Sequence, residues 1–141
     1  MATSTVTTFR SALVAALSAR AGLNGVQIGY GVPPGAISRE HILLGQVSGT
    51  QEFNAIGAQH KFEDYEVSLH IGVLREGVQQ QPCDERAMAL MAEVEQQLRD
   101  DLTVGGTVIS AQLGRFQLDG LASDTTREAR INTTIAVKAR I

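Results

Sequence analysis

The chain lacks several features that define common functional classes. It contains one cysteine, Cys83, so an internal disulfide is excluded. No apolar run approaches the ~20 residues that a membrane-spanning helix needs, and we expect no membrane partner. The first eight residues show no basic segment followed by an apolar one, so we expect no signal peptide. Together these features favour a protein that is made in a cytoplasm and used there, or built into a particle there.

Basic residues are too few for a typical nucleic-acid binder. The 141 residues include 12 Lys and Arg against 15 Asp and Glu, a formal net charge of −3. Domains that bind nucleic acid usually carry a basic patch or stripe. The hydrophobic share of 43% is ordinary for a globular protein. The length predicts one domain, residues 1–141, in which we expect residues 1–6 to be a flexible N-terminus.

The most informative segment is an alternating run from Tyr65 to Val73. Its apolar residues fall on one face of an extended strand, while Glu66, Ser68 and His70 fall on the other. This period of two predicts a strand over Phe62–Arg75 that packs on a core with one face only. An apolar stripe at helical spacing then predicts a helix over Asp84–Leu102, with Asp84 as its N-cap.

Shorter patterns complete the predicted fold. A helix should run from Thr7 or Thr8 to about Arg20, and glycines end it. The final segment, Arg127–Ile141, alternates like the long strand. Further strands are predicted over Val26–Tyr30, Glu40–Val47, Gln51–Ile56 and Val108–Leu118, with a turn at Ser48–Thr50 and breaks at Gly31–Gly35, Gly57–Gln59, Glu76–Pro82, Gly105–Gly106 and Gly120–Thr126. The predicted class is α+β: a mixed or antiparallel sheet of about five to six strands packed by two helices.

The residue types that carry chemistry are scattered. His41, His60 and His70 have no second histidine or cysteine at metal-ligand spacing, so we interpret them as ordinary side chains. Cys83 precedes the predicted helix start, but the neighbouring acids Asp84 and Glu85 work against a reactive thiolate. We therefore expect no metal site and no nucleophile.

Two glycine-containing segments resemble known motifs only superficially. In Gly45–Gly49 the serine stands one place too late for a Gly-x-Ser-x-Gly nucleophile motif, and no helix follows. Gly29–Pro34 lacks the third glycine and the following helix of a dinucleotide-binding loop. We predict no catalytic residue, no cofactor and no enzymatic activity.

Charge is divided between two segments of the chain. The second predicted helix carries six acids and two arginines, a net charge of −4. Residues 115–140 carry five bases and three acids, a net charge of +2. Solvated faces are the simpler interpretation. The alternative is head-to-tail pairing between copies, which closes into a ring when the rotation allows.

The order of segments resembles the tail terminator and tail-completion proteins of long-tailed bacteriophages. The resemblance rests on a Phe9-Arg-x-Ala-Leu helix, on Gly25-Val-Gln-Ile-Gly-Tyr-Gly-Val-Pro-Pro34 and on Glu40-His-Ile-Leu-Leu-Gly-Gln-Val. It continues through Phe62-Glu-Asp-Tyr-Glu-Val-Ser-Leu-His-Ile, the second helix and Asp101-Leu-Thr-Val-Gly-Gly106. The resemblance spans residues 9–141 and consists of segment order and local sequence character, without a diagnostic motif.

This resemblance implies a structural virion protein. Members of the family form hexameric rings that cap the tail tube, end its polymerisation and present the surface to which the filled head attaches. The implied partners are other copies of the chain, the tail tube protein and head-completion or neck proteins. DNA would pass through the lumen without specific binding. The implied location is the neck of the virion, after assembly in the host cytoplasm.

Alternative functions remain open at this point. They are another neck part such as a head-completion protein or portal–tail adaptor, a small α+β enzyme or ligand-binding domain, or a plain dimeric module. Genomic position beside portal and tail genes would separate them.

Loops and charge indicate which residues make contacts with other proteins. The residues that we expect in interfaces are Val32, Pro33, Pro34, Arg39, Glu93, Glu95, Arg127, Arg130, Lys138 and Arg140.

Overall fold

A computed structural model describes residues 3–53 and 60–141. Two helices, α1 (Val6–Ser18) and α2 (Gln81–Asp100), cover one face of a five-stranded sheet, and a short 3-10 turn (Ala21–Leu23) follows α1. The strands are β1 (Gln27–Gly29), β2 (Glu40–Phe53), β3 (Lys61–Glu76), β4 (Ser110–Ala122) and β5 (Thr126–Arg140). The sheet order is β1-β2-β3-β5-β4.

The sheet is mixed, as predicted. The β1–β2 pair is parallel, and the other three neighbouring pairs are antiparallel. With two packed helices this confirms the α+β class. The two longest strands, β3 and β5, lie side by side at the centre, paired from Phe62–Arg140 to Glu76–Thr126.

The core lies between the helices and the inner face of the sheet. The predicted inner residues of β3 and β5 are buried there, and they meet Phe9, Leu13 and Leu17 of α1. The α2 stripe of Ala87, Leu90, Val94 and Leu98 is also buried. Each fully buried Leu contributes roughly 1.5–3 kcal/mol relative to an exposed one. The period-two and helical patterns therefore identified the core correctly.

The predicted turn at Ser48–Thr50 is wrong. Residues 40–53 form one strand, and Gly49 pairs with Tyr65. A Cβ at Gly49 would lie 2.4 Å from the Asp64 carbonyl oxygen, so this glycine serves a close approach between strands. Residues 54–56 of the predicted third strand, and the break at 57–59, lie outside the described residues.

Both helix starts differ from prediction. Helix α1 begins at Val6, with Thr5 at the N-cap position. Ser4 and Thr5, inside the stretch expected to be flexible, hydrogen-bond to Glu63. Helix α2 begins at Gln81 because Pro82 suits the first turn, which places Asp84 inside the helix and not at its cap.

The remaining boundaries shift by a few residues. Helix α2 ends at Asp100 and not at Leu102. Strand β4 continues to Ala122, so the connection to β5 shrinks to residues 123–125. There the side-chain oxygen of Ser123 accepts the Thr126 N–H, which closes a tight turn.

Candidate assembly surface

The outer face of the sheet is open to solvent. Glu66 and His70 of β3, and Asn132, Ala136 and Lys138 of β5, are exposed on it. Because successive side chains in a strand point to opposite faces, these positions alternate with the buried core residues. Both helices lie on the inner face, so the outer face forms one broad polar surface.

A shallow depression of about 700 Å³ lies on this face. Four strands contribute to it, with Ser48 and Thr50 from β2, Asp64 from β3, Lys138 from β5 and Gln112 from β4. It crosses the sheet from one edge to the other, so its shape suits a broad contact.

Three carboxylates in the described chain, Glu40, Glu63 and Asp100, have a lowered pKa, and hydrogen bonds within the chain cause each shift. Arg86 donates to both oxygens of Glu40, at 2.9 and 3.0 Å, and this lowers the pKa of Glu40 against the opposing effect of burial. Hydrogen bonds from Gln96 and Arg20 lower the pKa of Asp100. Among residues 3–53 and 60–141 there is no group of three or more acids, histidines or cysteines that could hold a metal.

The acids of α2 are largely occupied within the chain. The guanidinium of Arg20 lies 2.6 Å from Glu93 and 3.3 Å from Asp100, which ties the end of α1 to α2. Glu95 pairs with Arg99 one turn later at 2.8 Å. Glu93 and Glu95 therefore already have partners, and the net charge of −4 overstates what α2 presents to another molecule.

Asp101, whose position at a helix C-terminus is electrostatically unfavourable, has a local role. Its carboxylate accepts the backbone N–H of Gly105 at 2.7 Å and the hydroxyl of Thr103 at 3.2 Å. These bonds organise the turn after α2, in which Val104 is buried with φ +46°. A β-branched residue in the left-handed region is strained, so the turn needs such support.

The ten predicted interface residues do not form one surface. Val32, Pro33 and Pro34 lie on the loop between β1 and β2, where Val32 is 81% exposed. Arg39 ends this loop and pairs with Glu76 at 3.2 Å. Glu93 and Glu95 lie on the helical layer, across the sheet from its open face.

The basic residues of β5 have different environments. Arg127 donates to the carbonyls of Ser123 and Thr126, so it holds the β4–β5 turn. Arg130 pairs with Glu128 on the same strand at 2.7 Å. The exposed Lys138 and Arg140 lie on the open face without a salt bridge among the described residues, and Arg140 stacks over Phe62 at 5.8 Å.

Sequence reasoning missed the edge residues of the sheet. Ser48 and Thr50 of β2 were assigned to a turn, and Ser110 and Gln112 of β4 carried no charge or motif that drew attention to them. Their signal was the polar, exposed side of an alternating strand, which becomes informative only when strand order is known.

Comparison with known proteins supports the fold. No protein-family model matches the chain, and no curated protein matches it. Among solved structures, one similar chain belongs to the virion of a native gene transfer agent particle. The two share 15% sequence identity with a TM-score of 0.61, and the match covers 99% of this chain and 100% of the other. The whole chain therefore shares the fold of a virion component.

Proposed function

We propose that this chain is a structural virion protein that forms a ring at the head-proximal end of a phage tail. The main support for this proposal is the structural similarity, over 99% of this chain, to a chain of a gene transfer agent virion. The sequence resemblance to tail terminators supports the same assignment from separate information. The ring would end polymerisation of the tail tube and join the tail to the head.

The surface of the molecule supports a role in assembly. Its open sheet face is broad, polar and shallow, and it spans four strands. The loop 30–39 presents Val32 and Ile37 to solvent, so it is the proposed contact loop toward a neighbouring virion protein. The proposed partners are further copies of the chain in a hexamer, the tail tube protein and the neck proteins. DNA would pass through the lumen without specific binding.

The test uses the purified chain and tail tube protein. Negative-stain images of the chain should show annuli, and mass photometry should show one closed oligomer. Added to growing tail tubes, the chain should bind one end of each tube and stop elongation there. Binding to portal complexes but not to tubes would reassign the chain as a neck adaptor, and binding to neither would refute the proposal.

A further inference from the structure

Two long sheet edges have no strand partner among the described residues. Strand β1 pairs with β2 only at His41, Ile42 and Leu43, so the outer edge of β2 from residue 44 to 53 is uncovered. At the other end of the sheet, β4 pairs with β5 on one side only. Unpaired N–H and C=O groups make such edges templates for another strand.

Apolar side chains accompany both edges. Phe116 of β4 is 55% exposed and Phe53 of β2 is 71% exposed. Along and beside β4, Ile109 and Leu121 are exposed as well. Edge strands that remain in solvent are usually protected by charges, proline or bulges. Strand β4 carries Arg115 and Asp119 and β2 carries Glu52, but the exposed phenylalanines leave apolar area at both edges that a second chain can cover.

The strand directions match a head-to-tail contact. The pairs β2–β3, β3–β5 and β4–β5 are all antiparallel, so β2 and β4 run in opposite directions. Rotation about an axis parallel to the strands preserves each direction. The β2 edge of one copy would therefore meet the β4 edge of the next in antiparallel orientation, which a ladder of hydrogen bonds can bridge.

The two edges also lie at the same height in the sheet. Thr50 pairs with Asp64, Asp64 with Lys138, and Lys138 with Ser110. One step along, the row consists of Ser48, Glu66, Ala136 and Gln112. A copy related by rotation alone, with no translation along the strand direction, would place its Thr50 beside Ser110 and its Ser48 beside Gln112. All four side chains would lie on the outer face of the joined sheet.

The open face is charge-complementary across this seam. At this end of the sheet β2 carries Glu52 and β3 carries Asp64 and Glu66. Strand β5 carries Lys138 and Arg140. Neighbouring strands are about 4.8 Å apart, so the neighbour's β2 would lie roughly 10 Å from β5 across β4. Glu52 of one copy would then face the long basic side chains of the next.

We propose that copies of this chain associate by antiparallel pairing of the β2 edge, residues 44–53, with the β4 edge, residues 110–122, of a second copy. This inference rests on the proposed function, because it specifies the seam of that ring. The sheets would join into one continuous β-layer, with the open polar faces on one side and the helices on the other. The contact is heterologous, so it closes into a ring when the rotation between copies allows.

Cysteine cross-linking tests the seam directly. Cys83 is fully buried and cannot reach a thiol on another copy. It can therefore stay in place, and any cross-link reports on the introduced cysteines. The variants are Thr50→Cys with Ser110→Cys, and Ser48→Cys with Gln112→Cys. Cross-strand partners lie within the Cα separation of 4.4–6.8 Å that a disulfide allows. A tilt of the strands in the ring would shift the register by two residues in one direction or the other, so Thr50→Cys with Gln112→Cys and Ser48→Cys with Ser110→Cys complete the set.

The expected result is a reducible ladder of cross-linked oligomers that ends at the closed ring. Mixing a Thr50→Cys chain with a Ser110→Cys chain should give a single cross-linked pair. The control variant, Thr50→Cys with Ser11→Cys, places the second thiol on the exposed surface of α1 and should give no ladder. An equal ladder from this control would overturn the inference.

A charge pair gives a second readout. Gln112→Glu should weaken association, because it adds an acid facing the acidic β2 side of the neighbour, whereas Gln112→Lys should preserve or strengthen it. Rings that form without a cross-link in any of the four pairs would overturn the seam and leave the proposed function standing. A chain that neither associates nor caps tail tubes would refute both.

Discussion

Glu63 holds the start of α1 on the sheet, and its replacement should be costly. The carboxylate is 3% exposed. One oxygen accepts from the Thr5 backbone N–H at 2.8 Å and the Thr5 hydroxyl at 3.0 Å. The other accepts from Ser4 Oγ and Gln51 Nε2, both at 2.7 Å. Four donors thus stabilise one buried anion beside the positive end of a helix dipole.

The size of the effect follows from these contacts. Hydrogen bonds to a charged group contribute about 1.5–3 kcal/mol each, but they are not additive. Ser4, Thr5 and Gln51 are partly or fully exposed and can rebind water after the carboxylate is removed. We therefore expect Glu63→Ala to lower the free energy of unfolding by about 2–4 kcal/mol. For a chain of this size that corresponds to roughly 6–12 °C in Tm.

The pH dependence separates this mechanism from lost packing. Burial raises the pKa of Glu63, but the hydrogen bonds from Ser4, Thr5 and Gln51 together outweigh it, so the pKa is lowered. The stabilisation is then fully present above the unfolded pKa, about 4.3, and is lost as pH falls through the lower folded value. The gap between wild type and Glu63→Gln should close in acid.

Urea unfolding of wild type, Glu63→Ala and Glu63→Gln at pH 7 and pH 3 measures both effects. Glu66→Gln is the matched control, because Glu66 lies on the same strand but is exposed. It should change stability by no more than about 0.5 kcal/mol. A Glu63 deficit that is the same at both pH values, or absent at pH 7, would refute the reasoning.

Two further perturbations test other contacts. Arg86→Met removes the paired donors to Glu40 and should cost about 1–2 kcal/mol in urea unfolding at pH 7. Because the hydrogen bond from Arg86 lowers the pKa of Glu40, this deficit should shrink as pH falls below about 4.3. Gly49→Ala should lower the free energy of unfolding by about 1–3 kcal/mol in thermal unfolding, since its Cβ would meet the Asp64 carbonyl at 2.4 Å. Gly31→Ala is its control, because a Cβ there meets nothing within 4 Å.

Each of these predictions has a contrary outcome. An Arg86→Met deficit that persists unchanged at pH 3 would mean that packing of the side chain, not the ion pair, supplies the stability. Equal effects of alanine at positions 49 and 31 would mean that the close approach between β2 and β3 is relieved by a small strand shift.

The elements that were predictable from sequence are those with one buried face. Tyr65 to Val73 alternates because one side meets the helices and the other meets water, and β5 alternates for the same reason. The α2 stripe follows helical spacing because it packs on the same core. An element that buries one face places apolar residues at its own helical or strand spacing, so the spacing in the sequence predicted these elements and their buried faces.

The unpredicted features depend on partners distant in sequence. Gly49 and its neighbours read as a turn, because Ser-Gly-Thr favours turns when only local chemistry is considered. The real constraint is the backbone of β3 opposite Gly49. Similarly, the sequence gives no sign that Glu63 differs from other polar strand residues, because its hydrogen-bond donors Ser4 and Thr5 are almost sixty residues earlier in the chain. Some of the predicted interface residues were chosen by charge, and one of these, Glu93, is already paired with Arg20 within the chain.

The central position of β5 has a consequence for synthesis. This strand is made after β1 to β4, yet it fills the gap between β3 and β4. A nascent chain stopped before Thr126 would leave β4 with no neighbour in the sheet and half of the β3 ladder unmade. Such fragments cannot complete the core, so the sheet can close only when the last residues of the chain have been made.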